Sequence, residues 1–334
     1  MPSQLLHSLF GEDLYLKKCE LFEDLINKHR EVFTLGCQGP DIFYHSQGRK
    51  PVGLYYGTLL HRRAYGDFST LLLKHSLGND QLTAYSLGFL THAILDRHCH
   101  PYIVYKSLSP SRHYHGFFER IIDVLMFKQL RNSDIIEWDQ ENLLAKTCEN
   151  PPDGLKELLF EVLKLTFPLK ISKDEKLKHR IDNAFMDSSG FFRTSSPGFT
   201  SLKNPVYSER SKNIRLRHVN YIYPEELPDD IDFLNLNKKP WFDPSGGKTE
   251  DRRSFAEIYS SALDYAKQYF FPFLYKLNSK KNFSLDEISR IIGNGGLSIV
   301  DGNGFPCSPV CSDPLPLGEV LENQAYLRGI DLKL

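Results

Sequence analysis

The sequence predicts an all-α protein of the multi-helix bundle kind. Apolar residues recur at helical spacing in segment after segment, and no run of alternating strand residues competes in the first half. Sequence rich in Gly, Pro and Ser gathers in two places only, a long irregular insertion over 187–251 and a short loop-rich tail over 291–334. The expected organisation is one helical domain over 1–290, with the tail packed on it.

From Leu14 to Val32, Leu16, Cys19, Phe22, Leu25 and Ile26 mark one helix, which stops before Gly36 and Gly39-Pro40. A second helix is expected from about Val52 to Leu73, and a third from Gln81 to Leu95, ended by a polar run and Pro101. The fourth, His113 to Leu130, is amphipathic through Phe117, Ile121, Leu125 and Phe127. Further helices are expected at Ile136–Cys148, Gly154–Leu165, Lys173–Met186 and Phe255–Phe271, the last ended by Pro272. Tyr221, Tyr223, Trp241 and Phe242 make an ordered flap of the insertion the better reading, since disordered segments are poor in aromatics. In the tail, Asp301-Gly302-Asn303-Gly304 suits a tight turn and a small hairpin.

The 334 residues carry 41 Lys and Arg against 42 Asp and Glu, so no global field draws a polyanion, and duplex nucleic acid is not an expected partner. The start, Met1-Pro2-Ser3-Gln4-Leu5-Leu6-His7, lacks the pattern of a secretory signal. The best candidate span, Leu82–Leu95, is broken by Ser86, Gly88, Thr91 and His92, so no transmembrane segment is expected. Six cysteines without a framework spacing read as reduced thiols, and the expected compartment is the cytoplasm.

The stretch that carries chemistry is Thr91-His92-Ala93-Ile94-Leu95-Asp96-Arg97-His98-Cys99-His100-Pro101. His92 and Asp96 stand four apart on a predicted helix, so both project from one face and can share a metal ion. His115-Gly116-Phe117-Phe118-Glu119 repeats that spacing, and two such helices side by side converge their ligands. One such pair alone is ordinarily a helix-surface contact or a satisfied core histidine. Five of the twelve histidines fall between His92 and His115, a density that shifts the balance to a metal site. Imidazole nitrogen and carboxylate oxygen suit zinc, and also iron or manganese. Upstream stand His7, Asp41 in Gly39-Pro40-Asp41-Ile42-Phe43-Tyr44, and His61. Taken singly, Asp41 equally fits a cap or turn, and His7 and His61 equally fit exposed imidazoles.

In this order of elements the chain resembles the bacterial zinc-dependent phospholipase C family, which shares its fold with the fungal single-strand-specific zinc nucleases. The resemblance covers residues 1 to about 130, and the helix expected over Phe255–Phe271 fits the same bundle. It implies a centre of two or three zinc ions. Asp41, His61, His92 and Asp96 would hold one, with Asp96 bridging to a second held by His7 and the N-terminal backbone. His100, His115 and Glu119 would hold the third. The implied reaction is phosphodiester hydrolysis, because such ions neutralise the diester, lower the pKa of a bound water and stabilise the leaving oxygen. The substrate would be a phosphodiester, a phospholipid among them, and Asp41 would also act as the base orienting that water. His98 has no counterpart in this scheme, and Asp123, one turn beyond Glu119, would orient a ligand imidazole.

The sequence departs from the family pattern at three points. Only six residues precede His7, the step from Asp96 to His100 is short, and Ile42 and Thr58 stand where choline-binding members carry aromatics. Two other readings compete. A nuclease or nucleotidase on the same scaffold would use stacking aromatics and basic lining, for which Tyr44, Arg62, Arg63, Tyr221 and Trp241 are candidates. A non-catalytic protein would keep zinc for its fold alone. Cys307-x-x-x-Cys311 is half of a possible zinc site without a second pair. Tyr269 to Tyr275 reads first as core and second as a transient membrane-surface contact, and Arg210, Lys212, Arg215 and Arg217 read as a solvated loop.

Overall fold

The structure is a computed structural model and describes residues 4–19, 21–108, 114–203, 220–246, 249–279 and 285–330. Helices dominate it. Among the described residues the only paired strands are Trp241–Phe242 and Glu250–Asp251, two residues each. The all-α class holds. His113 and the basic cluster at 210–217 lie outside the described residues.

The axis of the bundle is a helix of 28 residues, Asp80–Ser107. Asn79 caps it by accepting a hydrogen bond from the Leu82 amide at 3.1 Å. Every residue from Leu82 to Asp96 is buried, so the helix has no solvent face there and must be surrounded. Gln4–Glu12, Arg30–Cys37, Tyr65–Ser76, Tyr114–Arg131 and Phe255–Tyr265 pack around it. Pro101 does not end this helix as expected; it lies within it. An internal proline loses one hydrogen bond and crowds the preceding turn, at a cost of ~3 kcal/mol. Burial of Tyr102, Ile103 and Tyr105 offsets this, since a large apolar side chain gains about 1.5–3 kcal/mol on burial. His92, Asp96 and His100 therefore share one face of one helix.

Several other expected boundaries move for physical reasons. A helix Gln4–Glu12 precedes the expected first one, and the segment expected as a single helix over 14–32 is broken at Phe22, which has φ 63°. The second expected helix splits at Ala64, with φ 59°, whose amide donates to the Asn294 carbonyl. The expected insertion begins later than Asp187, because Leu177–Thr194 is one helix that carries Ser188, Ser189 and Gly190 within it. Pro272 sits in the first turn of a new helix, Phe271–Asn278, where its missing N–H costs nothing. The tail is not loop alone, since Leu317–Leu327 is helical. Its expected turn is present: Val300 pairs with Pro306 around Asp301, whose carboxylate accepts from Asn303 N and Phe305 N.

One hydrophobic core runs from Leu5 to Ala325. Phe270, Phe273 and Leu274 belong to it, with only Tyr269 and Tyr275 of that segment among the exposed large side chains. Trp241 and Tyr223 are buried, so the described part of the insertion is packed. Arg97, on the central helix, binds the tail by donating to the carbonyls of Ile292, Gly293, Gly295 and Gly296. No described helix is long and apolar enough to cross a membrane.

Two glycines let Arg30–Cys37 meet the central helix backbone to backbone. A Cβ on Gly36 would come within 2.1 Å of the Tyr85 carbonyl oxygen, and one on Gly88 within 2.3 Å of the Phe33 carbonyl oxygen. Neither neighbour can move without displacing a helix. Gly88→Ala is expected to cost about 1–3 kcal/mol by overpacking, measured as a lowered urea midpoint. An unchanged midpoint would show that the crossing has slack.

Candidate metal centre

The central helix supplies His92, Asp96 and His100, all at most 2 % exposed. His7 comes from Gln4–Glu12, Asp41 from the short helix Asp41–Tyr44, His61 from the end of Leu54–Arg62, and His115 and Glu119 from Tyr114–Arg131. All eight residues singled out in the sequence converge. They fall into three groups, His7/Asp41/His92 and His61/His92/Asp96, which share His92, and His100/His115/Glu119, in each of which the candidate ligand atoms lie within 4.8 Å of one another.

Local backbone explains how Asp41 reaches the cluster. Gly39 has φ 55°, and a Cβ there would come within 2.4 Å of the His92 ring. Only glycine allows the chain to turn this tightly against the imidazole. The turn is held by the Gly39 amide donating to Gly36 O at 2.8 Å and the Asp41 amide donating to Gln38 O at 3.1 Å. His7 is similarly fixed through its own helix, because the Leu6 amide donates to Asp123 Oδ1 at 3.1 Å and Tyr223 donates to Asp123 Oδ2 at 3.1 Å. Asp123 thus anchors the backbone beside His7.

The hydrogen bonds behind the imidazoles decide what the front can do. His61 Nδ1 lies 2.8 Å from Gly57 O, His92 Nδ1 3.2 Å from Cys37 O, and His100 Nδ1 3.1 Å from Asp96 O. A carbonyl only accepts, so each Nδ1 carries the hydrogen, and the neutral ring presents Nε2 as a bare lone pair. Those lone pairs face carboxylate oxygens: His61 Nε2 to Asp41 at 3.0 Å, His92 Nε2 to Asp96 at 3.4 Å. His7 Nε2 is 3.2 Å from Asp96, and His115 Nε2 is 2.9 Å from Glu119. Both oxygens of Asp41 and of Asp96, and Nε2 of His7, His61 and His92, are buried without a hydrogen-bond partner. Acceptors packed against acceptors require a cation between them. The donor set of imidazole and carboxylate, with backbone carbonyls fixing the tautomer from behind, fits zinc.

Burial pushes the Asp96 carboxyl upward, but a proton entering the site is held better on the His100 or His92 imidazole, whose positive charge then keeps Asp96 well below the carboxylate range. Asp41 behaves alike, burial being overcome by His92 and His61 to leave it at about 2. Both stay ionised as ligands must.

The other residues named from sequence scatter. His98 turns away, its Nδ1 2.7 Å from Ile94 O and its ring against Tyr265. Arg62 and Arg63 are exposed. Trp241 is edge-on to Tyr102 and donates to Arg253 O at 3.2 Å, with no free face for a base. Cys307 and Cys311 are free, half-buried thiols outside the three ligand groups.

Tyr44 and Tyr221, by contrast, line a cavity of about 530 Å³ together with His45, Arg49, Asp187 and Phe191. It adjoins the centre at both ends. The Tyr44 ring lies 4.5 Å from that of His61, and Tyr221 packs over Gly116, next to His115. Sequence reasoning misses His45, although it directly follows the Asp41–Tyr44 motif, and misses Asp187 and Phe191, which lie in the stretch expected to be loop.

Two buried imidazoles make the metal-free protein acid-sensitive. Burial holds His45 down to about 4 and His100 down to about 3. The unfolded chain takes up these protons first, near pH 6.5. Stability is therefore untouched above pH 6.5 and is lost progressively as pH falls toward 4 and then 3. The urea midpoint of chelator-treated protein is expected to drop between pH 7 and pH 4.5, and to drop less in His45→Phe; equal drops would assign the sensitivity elsewhere.

No characterised protein and no solved structure matched the chain. The family model described as zinc dependent phospholipase C matches residues 3–167, a span that contains all eight converging residues. With that match and this geometry, the chain belongs to the zinc-dependent phospholipase C family.

Proposed function

We propose that the protein is a zinc-dependent phosphodiester hydrolase of the phospholipase C type. The observation that carries this reading is the set of buried imidazole and carboxylate lone pairs facing one another with no hydrogen between them. In the assignment, Asp41, His61, His92 and Asp96 form one site, His7 joins Asp96 at a second, and His100, His115 and Glu119 form the third. The N-terminal backbone, the remaining ligand implied by the resemblance, lies outside the described residues. Zinc in these sites would neutralise the diester and make water nucleophilic near neutral pH.

The chain's own residues supply position and charge. Asp41, held at about 2, is a poor resting place for a proton at neutral pH and serves as ligand and orienting acceptor for the attacking water. Water adds to phosphorus, the bond from phosphorus to the leaving alcohol oxygen breaks on the opposite side, and that oxygen takes up a proton. The tail belongs to the same catalytic unit in this reading, supported by the Leu297 amide donating to the His61 carbonyl at 2.9 Å. The site is compartment-neutral in its chemistry, and the cytoplasm stays the proposed location on the sequence alone.

Metal analysis tests the centre: purified protein is expected to hold two or three equivalents of zinc, and less than one equivalent would overturn it. Turnover is a separate measurement. Hydrolysis of a soluble aryl phosphodiester is expected to fall in His92→Ala and Glu119→Gln by more than the about 10–100-fold typical of losing an outer-shell partner. Wild-type rates no higher than these variants would point to zinc that serves the fold alone.

A further inference from the structure

Beside the centre, the cavity bounded by Tyr44 and Tyr221 has walls whose hydrogen bonds define what it can hold. Ser188 donates its one hydrogen to the Ile42 carbonyl at 2.9 Å. Toward His45 Nδ1, 3.2 Å away, the Ser188 oxygen can therefore only accept, so Nδ1 carries the imidazole hydrogen. His45 Nε2 is then a bare acceptor, and it is buried without a partner. An acceptor out of water and without a donor costs free energy, which a ligand hydroxyl recovers.

The charges of the cavity cancel. Asp187 accepts from Gly48 N at 2.9 Å, from Arg49 N at 3.0 Å and from Arg49 Nη1 at 2.7 Å. Its carboxylate is fully engaged, so nothing beyond ring faces attracts a quaternary ammonium. The rings are also wrongly set for a nucleobase. His45 covers one face of Phe191 at 4.1 Å, and Tyr221 meets Phe191 edge-on at 82°, so these rings offer no pair of parallel faces to sandwich a base. What remains is a neutral, aromatic-walled chamber demanding a hydroxyl donor.

We propose that this cavity is the subsite for a neutral polyol carried by the phosphodiester, such as a glycerol or inositol head group, with His45 Nε2 accepting one of its hydroxyls. The proposal rests on the hydrolase reading above and names the substrate class of that same centre. Specificity of this kind follows from buried polar groups that a substrate without the hydroxyl leaves unpaired.

The test compares phosphatidylinositol, phosphatidylglycerol and phosphatidylcholine in mixed micelles at saturating zinc, alongside soluble glycerophosphoinositol and glycerophosphocholine. Polyol substrates are expected to exceed choline substrates in kcat/KM by about tenfold, the effect of one or two hydrogen bonds at the reacting complex. Turnover of the micellar pair or of the soluble pair shows whether a lipid or a water-soluble diester is the source. His45→Phe keeps a ring against Phe191 but removes the acceptor, and should lower kcat/KM for polyol substrates about tenfold while narrowing the gap to choline. A choline preference in wild-type protein overturns the proposal whether or not the variant folds, and so does an equal loss on both classes in His45→Phe. Where no diester is turned over, titration calorimetry with inositol 1-phosphate and phosphocholine decides between the two head groups. In that case the hydrolase reading fails by itself, and the subsite stands only if inositol 1-phosphate binds more tightly and loses that advantage in His45→Phe.

Discussion

The structure depends on one electrostatic constraint, the mutual repulsion of lone pairs that a cation alone relieves. Asp41 and Asp96 face His7, His61 and His92 across gaps of a few ångströms, and the hydrogens that would make neutral pairs of them sit on the far side of the His61 and His92 rings. Such an arrangement is costly to keep folded without metal, since buried charge and bare acceptors are each penalised. The bundle around it is accordingly close-packed. A fully buried central helix, two glycine-mediated backbone contacts and a tail tied down by Arg97 hold the ligand-bearing elements where their side chains would otherwise push apart.

Much of this centre is legible in the sequence because its geometry is local. The spacing of His92 and Asp96, and of His115 and Glu119, encodes two helix faces directly. Gly39 is visible as a turn residue, although its reason, the His92 ring lying where a Cβ would stand, is a contact between distant segments. His7, Asp41 and His61 are weak signals alone for the same cause. What recruits them is the packing of four helices, which only the order of motifs in a known family could suggest.

The boundaries that differ from expectation share a physical pattern. Pro101, the break expected after Leu95 and the Ser-Gly run after Asp187 are all signals of local propensity, and in each case burial overrides them. Tyr102 and Ile103 beyond Pro101 are fully packed, and Ser188 and Ser189 within the helix Leu177–Thr194 are buried and hydrogen-bonded. Propensity is a weak prior where tertiary contacts supply several kcal/mol. The functional consequence is specific: the cavity walls from Asp187 to Thr194 are hidden inside an expected loop.

That same division separates chemistry from specificity. All eight converging residues fall within residues 3–167, the part of the chain that identifies its family. Asp187, Gly190, Phe191, Thr194 and Tyr221, half of the cavity lining, fall outside it. The family match therefore bears on the candidate metal centre and little on the cavity beside it. At the two positions where the resemblance would place choline-binding aromatics stand Ile42, which is wholly buried, and Thr58, whose hydroxyl donates to the Leu54 carbonyl at 3.2 Å. Neither presents a ring to a cationic head group. The cavity wall formed by His45 and the helix Leu177–Thr194 carries instead a buried acceptor and a compensated ion pair. One scaffold can keep its core while the cavity beside it changes, because function lives in sites grafted on a fold.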